Sequence, residues 1–107
     1  MKMCSIASGS SGNCIYVASD DANILIDVGI SKKRIVEGLK GIGVDAREID
    51  GILITHEHSD HISGIGVMAR AYGIPIYGTK ETLQAIDSFK QTGNIDNILY
   101  RPILPDV

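Results

Sequence analysis

The sequence predicts an α+β domain: one mixed β-sheet with helices packed on one face. Three observations point there. The chain opens with two short runs rich in Ile, Val, Cys and Tyr, Met3 to Ala7 and Cys14 to Ala18, on either side of Ser8-Gly9-Ser10-Ser11-Gly12-Asn13. Apolar runs flanking such a turn cluster are the mark of a β-hairpin. Downstream, short apolar runs alternate with segments of helical period. One of those runs, Gly51-Ile52-Leu53-Ile54, is wholly apolar, as expected for a central strand covered on both faces.

The elements follow in order. After the hairpin, Asp20-Asp21 marks a turn, and Asn23 to Asp27 reads as a third strand ending at Asp27-Val28-Gly29. A helix comes next, with Ser31 as its N-cap and Ile35, Val36, Leu39 and Ile42 on one stripe, and Gly41 and Gly43 end it. Asp45-Ala46-Arg47-Glu48 places Glu three residues after an acidic cap, the pattern of a single capped turn. Beyond the central strand, Ser63 to Tyr72 reads as a helix with Ile65, Met68, Ala69 and Tyr72 as its stripe, stopped by Gly73. Ile74 to Tyr77 is a strand with Pro75 near its start, where a missing N–H is tolerated. Thr79 caps a further helix to about Lys90, with Leu83, Ile86 and Phe89 inward, broken by Gly93-Asn94. The tail, Ile98-Leu99-Tyr100 and Ile103-Leu104, is one more strand interrupted by Pro102 and Pro105.

Composition excludes several classes. Ten Lys+Arg against 13 Asp+Glu give a formal charge of -3, and 44% of the 107 residues are hydrophobic. That is the profile of one globular domain with a core, neither disordered nor a strongly basic nucleic-acid binder. No apolar run approaches the roughly 20 residues that cross a bilayer, and no secretory h-region follows Met1, so no membrane partner is expected. The two cysteines, Cys4 and Cys14, have no Cys or His at metal-ligand spacing. They read as free, buried thiols on strands in a reducing, cytoplasmic setting. Ser8 to Asn13 is Gly-rich but lacks the Gly-Lys-Ser/Thr ending of a nucleotide loop, so it reads as a tight hairpin turn. Lys32-Lys33-Arg34, the one basic run, reads as a solvated helix start in preference to a phosphate-contacting patch.

The chemistry is concentrated in Thr55-His56-Glu57-His58-Ser59-Asp60-His61, which holds all 3 histidines of the chain. In an extended segment His56 and His58 point the same way and can share one ion. If the chain then turns into a helix near Ser63, Asp60 and His61 aim at a neighbouring point. Two adjacent cations would explain four ligand-type residues packed so closely. A polar loop that is merely His-rich would not need to sit at a strand-to-helix junction, where α/β sheets place ligands.

Thr55 to His61 resembles the metal-binding motif of the metallo-β-lactamase superfamily. Ser8 to Cys14, Leu25-Ile26-Asp27-Val28-Gly29 and Ile54 to His61 are similar, in order, to the YycJ/WalJ branch of that superfamily. The resemblance implies an αββα sandwich of two similar halves, of which residues 1–107 form the N-terminal portion. It implies two divalent ions, zinc or manganese, with His56 and His58 on the first and Asp60 and His61 on the second, Asp60 also serving catalysis. Asp27 matches an acidic residue that orients the metal loop by hydrogen bonds without ligating, and Thr55 stands beside it in that support.

The resemblance also implies ligands this chain does not carry. A third histidine for the first ion, a bridging aspartate and a final histidine lie further along in family members, whereas no histidine follows His61 here. A catalytic zinc usually takes three protein ligands plus water, so the site in this chain is incomplete and the isolated chain is expected to be inactive. Half a sandwich would also leave a sheet face uncovered, which predicts self-association or packing against a missing C-terminal half. For the full-length protein the branch implies phosphodiester hydrolysis by a DNA exonuclease. The alternatives are a metallohydrolase of a lactone, thioester or cyclic phosphodiester, since sister families share the motif, and a non-catalytic binding module.

Overall fold

A computed structural model of the chain describes residues 2–8, 12–55, 64–88 and 99–103. The strands are β1 (Lys2–Ala7), β2 (Cys14–Ala18), β3 (Asn23–Ile26), β4 (Gly51–Leu53), β5 (Ile76–Gly78) and β6 (Tyr100–Pro102). The helices are α1 (Lys32–Gly41), α2 (Ile65–Tyr72) and α3 (Lys80–Ser88), with a 3-10 turn at Ala46–Glu48. All six strands lie in one sheet in chain order. The first two pairings are antiparallel and the remaining three parallel.

Chain order explains the layering. β1 to β3 are joined by connections too short for a crossover, so they must pair antiparallel. Each later strand is added beside its predecessor in one direction through a helical crossover. Right-handed crossovers that all advance the same way leave their helices on the same face. The expected mixed sheet with one helical layer is what forms.

Register then sorts the side chains. Cys4, Tyr16, Leu25, Ile52, Ile76 and Tyr100 pair across the sheet in one row and so share a face. Leu25, Ile52 and Ile76 are fully buried there, in one core cluster with Ile35, Leu39, Ile65, Met68 and Ile86. Helix α1 reaches the edge of this layer at Ile6, whose Cγ2 lies 2.6 Å from where a Cβ on Gly38 would stand. The opposite face carries Ile15, Val17, Ile24, Ile26, Leu53 and Tyr77, all only half-buried. The covering expected on both faces of the central strand is therefore complete on one: Ile52 is buried and Leu53 is not.

Local signals place most boundaries. Ser31 Oγ accepts from the Arg34 amide, Asp45 Oδ1 from the Arg47 amide, and Thr79 Oγ1 from the Thr82 amide, so all three expected caps form. Gly73 ends α2 in the left-handed conformation, at φ 63, and its amide donates to Ala69 O at 2.8 Å. β3 and β4 each stop one residue short of the pattern, at Ile26 and Leu53, and two further positions differ. Ile42, expected on the inward stripe, is 38% exposed, because α1 ends at Gly41 and Ile42 caps it with φ -109. The fifth strand starts at Ile76 and not Ile74, because Pro75 precedes it and uses only its carbonyl, which accepts from the Ile52 amide at 2.9 Å. Phe89, Lys90, Gly93, Asn94, Ile98, Leu104 and Pro105 lie outside the described residues. Among the described residues, no helix is long and apolar enough to cross a membrane.

Candidate metal centre

Strands β3 and β4 are parallel neighbours, with Ile26 opposite Leu53. Their C-terminal ends therefore emerge side by side, at the sheet edge where α/β proteins gather ligands. Asp27 follows β3 and Thr55 follows β4 by two residues.

Asp27 is built into this edge from every side. Its backbone is left-handed, with φ 62, among the described residues the one case outside glycine. That conformation is costly for an L-residue, and Asp is among the few that adopt it. The Asp27 amide donates to Leu53 O at 2.8 Å, which carries the parallel ladder between β3 and β4 one bond past Ile26. The side chain, 5% exposed, then meets Thr55: Oδ1 accepts from the Thr55 amide at 2.8 Å and Oδ2 from the Thr55 hydroxyl at 2.7 Å. A buried carboxylate must be paired by donors, and hydrogen bonds to a charged acceptor are the strong ones. Both oxygens of Asp27 are thus committed to fixing the residue that immediately precedes His56.

The sequence brought Asp27 and Thr55 forward as supports, and the structure brings them into contact. His56, His58, Asp60 and His61 lie outside the described residues. Among the described residues no group of three or more His, Cys, Asp or Glu is placed to hold a metal. The fit to a divalent ion therefore rests on the donor set, imidazoles with a carboxylate, which suits zinc and manganese. It rests also on an anchored, ordered strand end leading into it.

Cys14 is close enough to feel this edge. Its thiol is pushed up to about 12, first by burial and then by the Asp27 carboxylate. A thiol held neutral in this way is neither nucleophile nor ligand. Cys14 is buried as expected, Cys4 is half-exposed, and both are free. At the opposite edge of the sheet a groove of about 600 Å³ is lined by Val36, Lys40, Arg47 and Tyr72 among others. Its lining includes the exposed Asp45–Arg47 ion pair at 2.8 Å, which draws the Asp45 carboxyl down to about 2 through its hydrogen bonds to Arg47. That groove flanks the start of β4, not its end, and is remote from the Thr55 junction. In the basic run, Lys32 Nζ sits 5.5 Å from the centre of the Tyr72 ring, a cation–π contact that ties α1 to α2.

Sequence reasoning did not find the segment behind Asp27. The Gly29 amide donates to Asn13 O at 2.8 Å, and the Gly64 amide donates to Val28 O at 2.7 Å. Backbone-to-backbone bonds of this kind leave no residue-type signature, apart from glycines at the points of approach.

Residues 7–97 match the sequence pattern of the Metallo-beta-lactamase superfamily. Over 92 residues the chain is 46% identical to exodeoxyribonuclease WalJ of Streptococcus pneumoniae, an overlap of 86% of this chain and 34% of that protein. It is 43% identical over 90 residues to exodeoxyribonuclease YycJ of Bacillus anthracis, covering 84% of this chain and 33% of the relative. The chain thus spans about a third of the length of these curated relatives. In fold it is similar to the solved metallo-beta-lactamase SMB-1 bound to 2-mercaptoethanesulfonate, with a TM-score of 0.72 at 19% identity over 94% of this chain and 43% of that one. By sequence pattern over most of its length, and by a mixed sheet backed by one helical layer, this chain belongs to the metallo-beta-lactamase superfamily.

Proposed function

We propose that this chain is the N-terminal part of a metal-dependent exodeoxyribonuclease, with residues 56–61 contributing four ligands to a two-ion site. One observation supports the metal reading above others: the buried Asp27 carboxylate takes both the amide and the hydroxyl of Thr55, directly ahead of His-x-His-x-Asp-His. Rigid support of this kind is what metal sites require of the residues around their ligands. The DNA reading rests on the likeness to WalJ and YycJ.

In this reading His56 and His58 hold one ion, Asp60 and His61 the other, and Asp60 serves the reaction directly. Divalent zinc or manganese, when bound, supplies a water of lowered pKa and neutralises charge on the scissile phosphate. The chain's own part is to present imidazoles and carboxylate from a strand end that cannot swing. Asp27 and Thr55 do this by locking the approach to His56. All 3 histidines of the chain are used in the motif, so the remaining ligands come from residues outside it, and residues 1–107 alone are inactive. Two unbridged cysteines accord with a reducing compartment such as the cytoplasm.

The test uses the full-length gene product on end-labelled linear duplex DNA, beside a panel of thioesters and lactones, with manganese or zinc. DNA is expected to be degraded, with activity lost to a chelator and restored by metal. His58→Ala or Asp60→Ala should remove most of it, and Asp27→Asn should lower it by about 10- to 100-fold. Strong thioester or lactone hydrolysis without DNA cleavage would replace the nuclease reading with a small-molecule one.

A further inference from the structure

We infer that Gly64 and Gly12 are positioning residues that let the Val28–Ile30 backbone pass close enough to tie down the far end of the 56–61 segment. The inference rests on the metal reading above for its consequence, and on the described geometry for its mechanism.

The near end of the segment is held by Asp27, through Thr55. The far end is held by the very next residue: the Gly64 amide donates to Val28 O at 2.7 Å. Consecutive residues of one loop thus grip both flanks, Thr55 and Gly64, and fix the distance the intervening chain must span. The loop is itself buried, with Asp27 5%, Val28 0% and Ile30 3% exposed.

Glycine is needed at 64 for approach and not for backbone shape. Its φ of -95 and ψ of 0 are open to other residues, and as the N-cap of α2 it forgoes any side-chain cap. A Cβ there would stand 2.2 Å from Ile30 O and 3.1 Å from Val28 O. Both are backbone atoms, which cannot rotate aside as a side chain would. Gly12 braces the loop from the hairpin side. A Cβ on it would lie 2.4 Å from Gly29 O, while the Gly29 amide donates to Asn13 O at 2.8 Å. An added methyl at 64 would push the far anchor off Val28 and loosen the ligands without touching any of them.

Because His56, His58 and His61 are the only histidines, imidazole NMR signals of the 107-residue chain report on this segment alone. Zinc titration should give an apparent affinity weakened about tenfold or more in Gly64→Ala. The control is Gly73→Ala at the other end of α2, where φ is +63 and a Cβ would meet nothing within 4 Å. That variant should lose stability through backbone strain yet bind zinc within about twofold of the parent. Equal affinity in Gly64→Ala and parent, or losses in both variants that simply track their stability, overturns the inference. Hydrogen exchange of the Thr55 and Gly64 amides in the metal-free chain is the second readout and serves if Gly64→Ala fails to fold. Asp27→Asn should speed both amides together, and acceleration of Thr55 alone overturns the shared grip. If the parent histidines do not respond to zinc, binding needs the ligands outside residues 1–107, the metal reading is decided by the full-length assay above, and the exchange result alone decides the two-ended anchor.

Discussion

Asp27 concentrates three costs in one residue: a left-handed backbone, burial of a carboxylate, and the loss of side-chain freedom. Its bonds to Thr55 and Leu53 offset them. The substitutions separate these contributions. Asn tolerates the left-handed region and keeps one acceptor oxygen, whereas Ala strains the backbone and strands the Thr55 amide and hydroxyl. Urea unfolding should show Asp27→Asn losing about 1 kcal/mol and Asp27→Ala about 2–4 kcal/mol. Equal losses would mean that the carboxylate, which both variants lack, and not the left-handed turn, organises this edge. Cys14 provides a second test at this scale. Burial and the nearby Asp27 carboxylate push its thiol from the ordinary 9.0 up to about 12. From pH 9.0 upward the unfolded state therefore releases a proton that the folded state keeps, so this contribution to stability is lost as pH rises toward about 12. Relative to Cys14→Ala, the parent should lose about 1.4 kcal/mol of stability per pH unit within that window, read as denaturant midpoints at successive pH values.

Among the elements, α1 is set against the sheet by a missing side chain. Gly38 lies in mid-helix, where glycine costs about 1 kcal/mol relative to Ala. It is tolerated because a Cβ would stand 2.6 Å from Ile6 Cγ2 on β1. Gly38→Ala should therefore be destabilising by about 1–2 kcal/mol in the parent, where crowding outweighs the gain in helix propensity. In an Ile6→Ala background the same change should become neutral or stabilising. A double-mutant cycle of urea midpoints checks the contact, and strict additivity would deny it. The caps behave differently. Ser31, Asp45 and Thr79 act within three residues of themselves, so their roles were visible from sequence. Ile42 departs from the inward stripe because period alone does not say where a helix stops.

For the whole molecule, the two faces of the sheet set the terms. One is sealed by three helices. The other presents Ile15, Val17, Ile24, Ile26, Leu53 and Tyr77 half-buried, with Met3 73% exposed at its margin. A contiguous apolar face of this kind drives association. We propose that in the full-length protein the remainder of the chain covers it, completing a two-sheet sandwich. The isolated 107-residue chain should then sediment as a dimer or larger species at tens of micromolar. Leu53→Lys should return it toward an 11.5 kDa monomer while lowering stability by much less than a lysine at buried Ile52. A parent that sediments as a monomer over the same concentrations would remove this prediction.

The sequence by itself determined the element order, the three helix caps, the hairpin opening and the clustering of every histidine after the central strand. These depend on composition within a few residues, or on a period of two or 3.6. It also singled out Asp27 and Thr55. What only the tertiary structure decided is how those two meet. Residues 28 apart in the chain become hydrogen-bonded because β3 and β4 lie parallel and end together. The grip on Gly64, the buttress at Gly12 and the half-covered second face follow from the same placement. They are made by backbone carbonyls and by sheet register, which leave no mark on residue identity beyond the glycines at the points of approach.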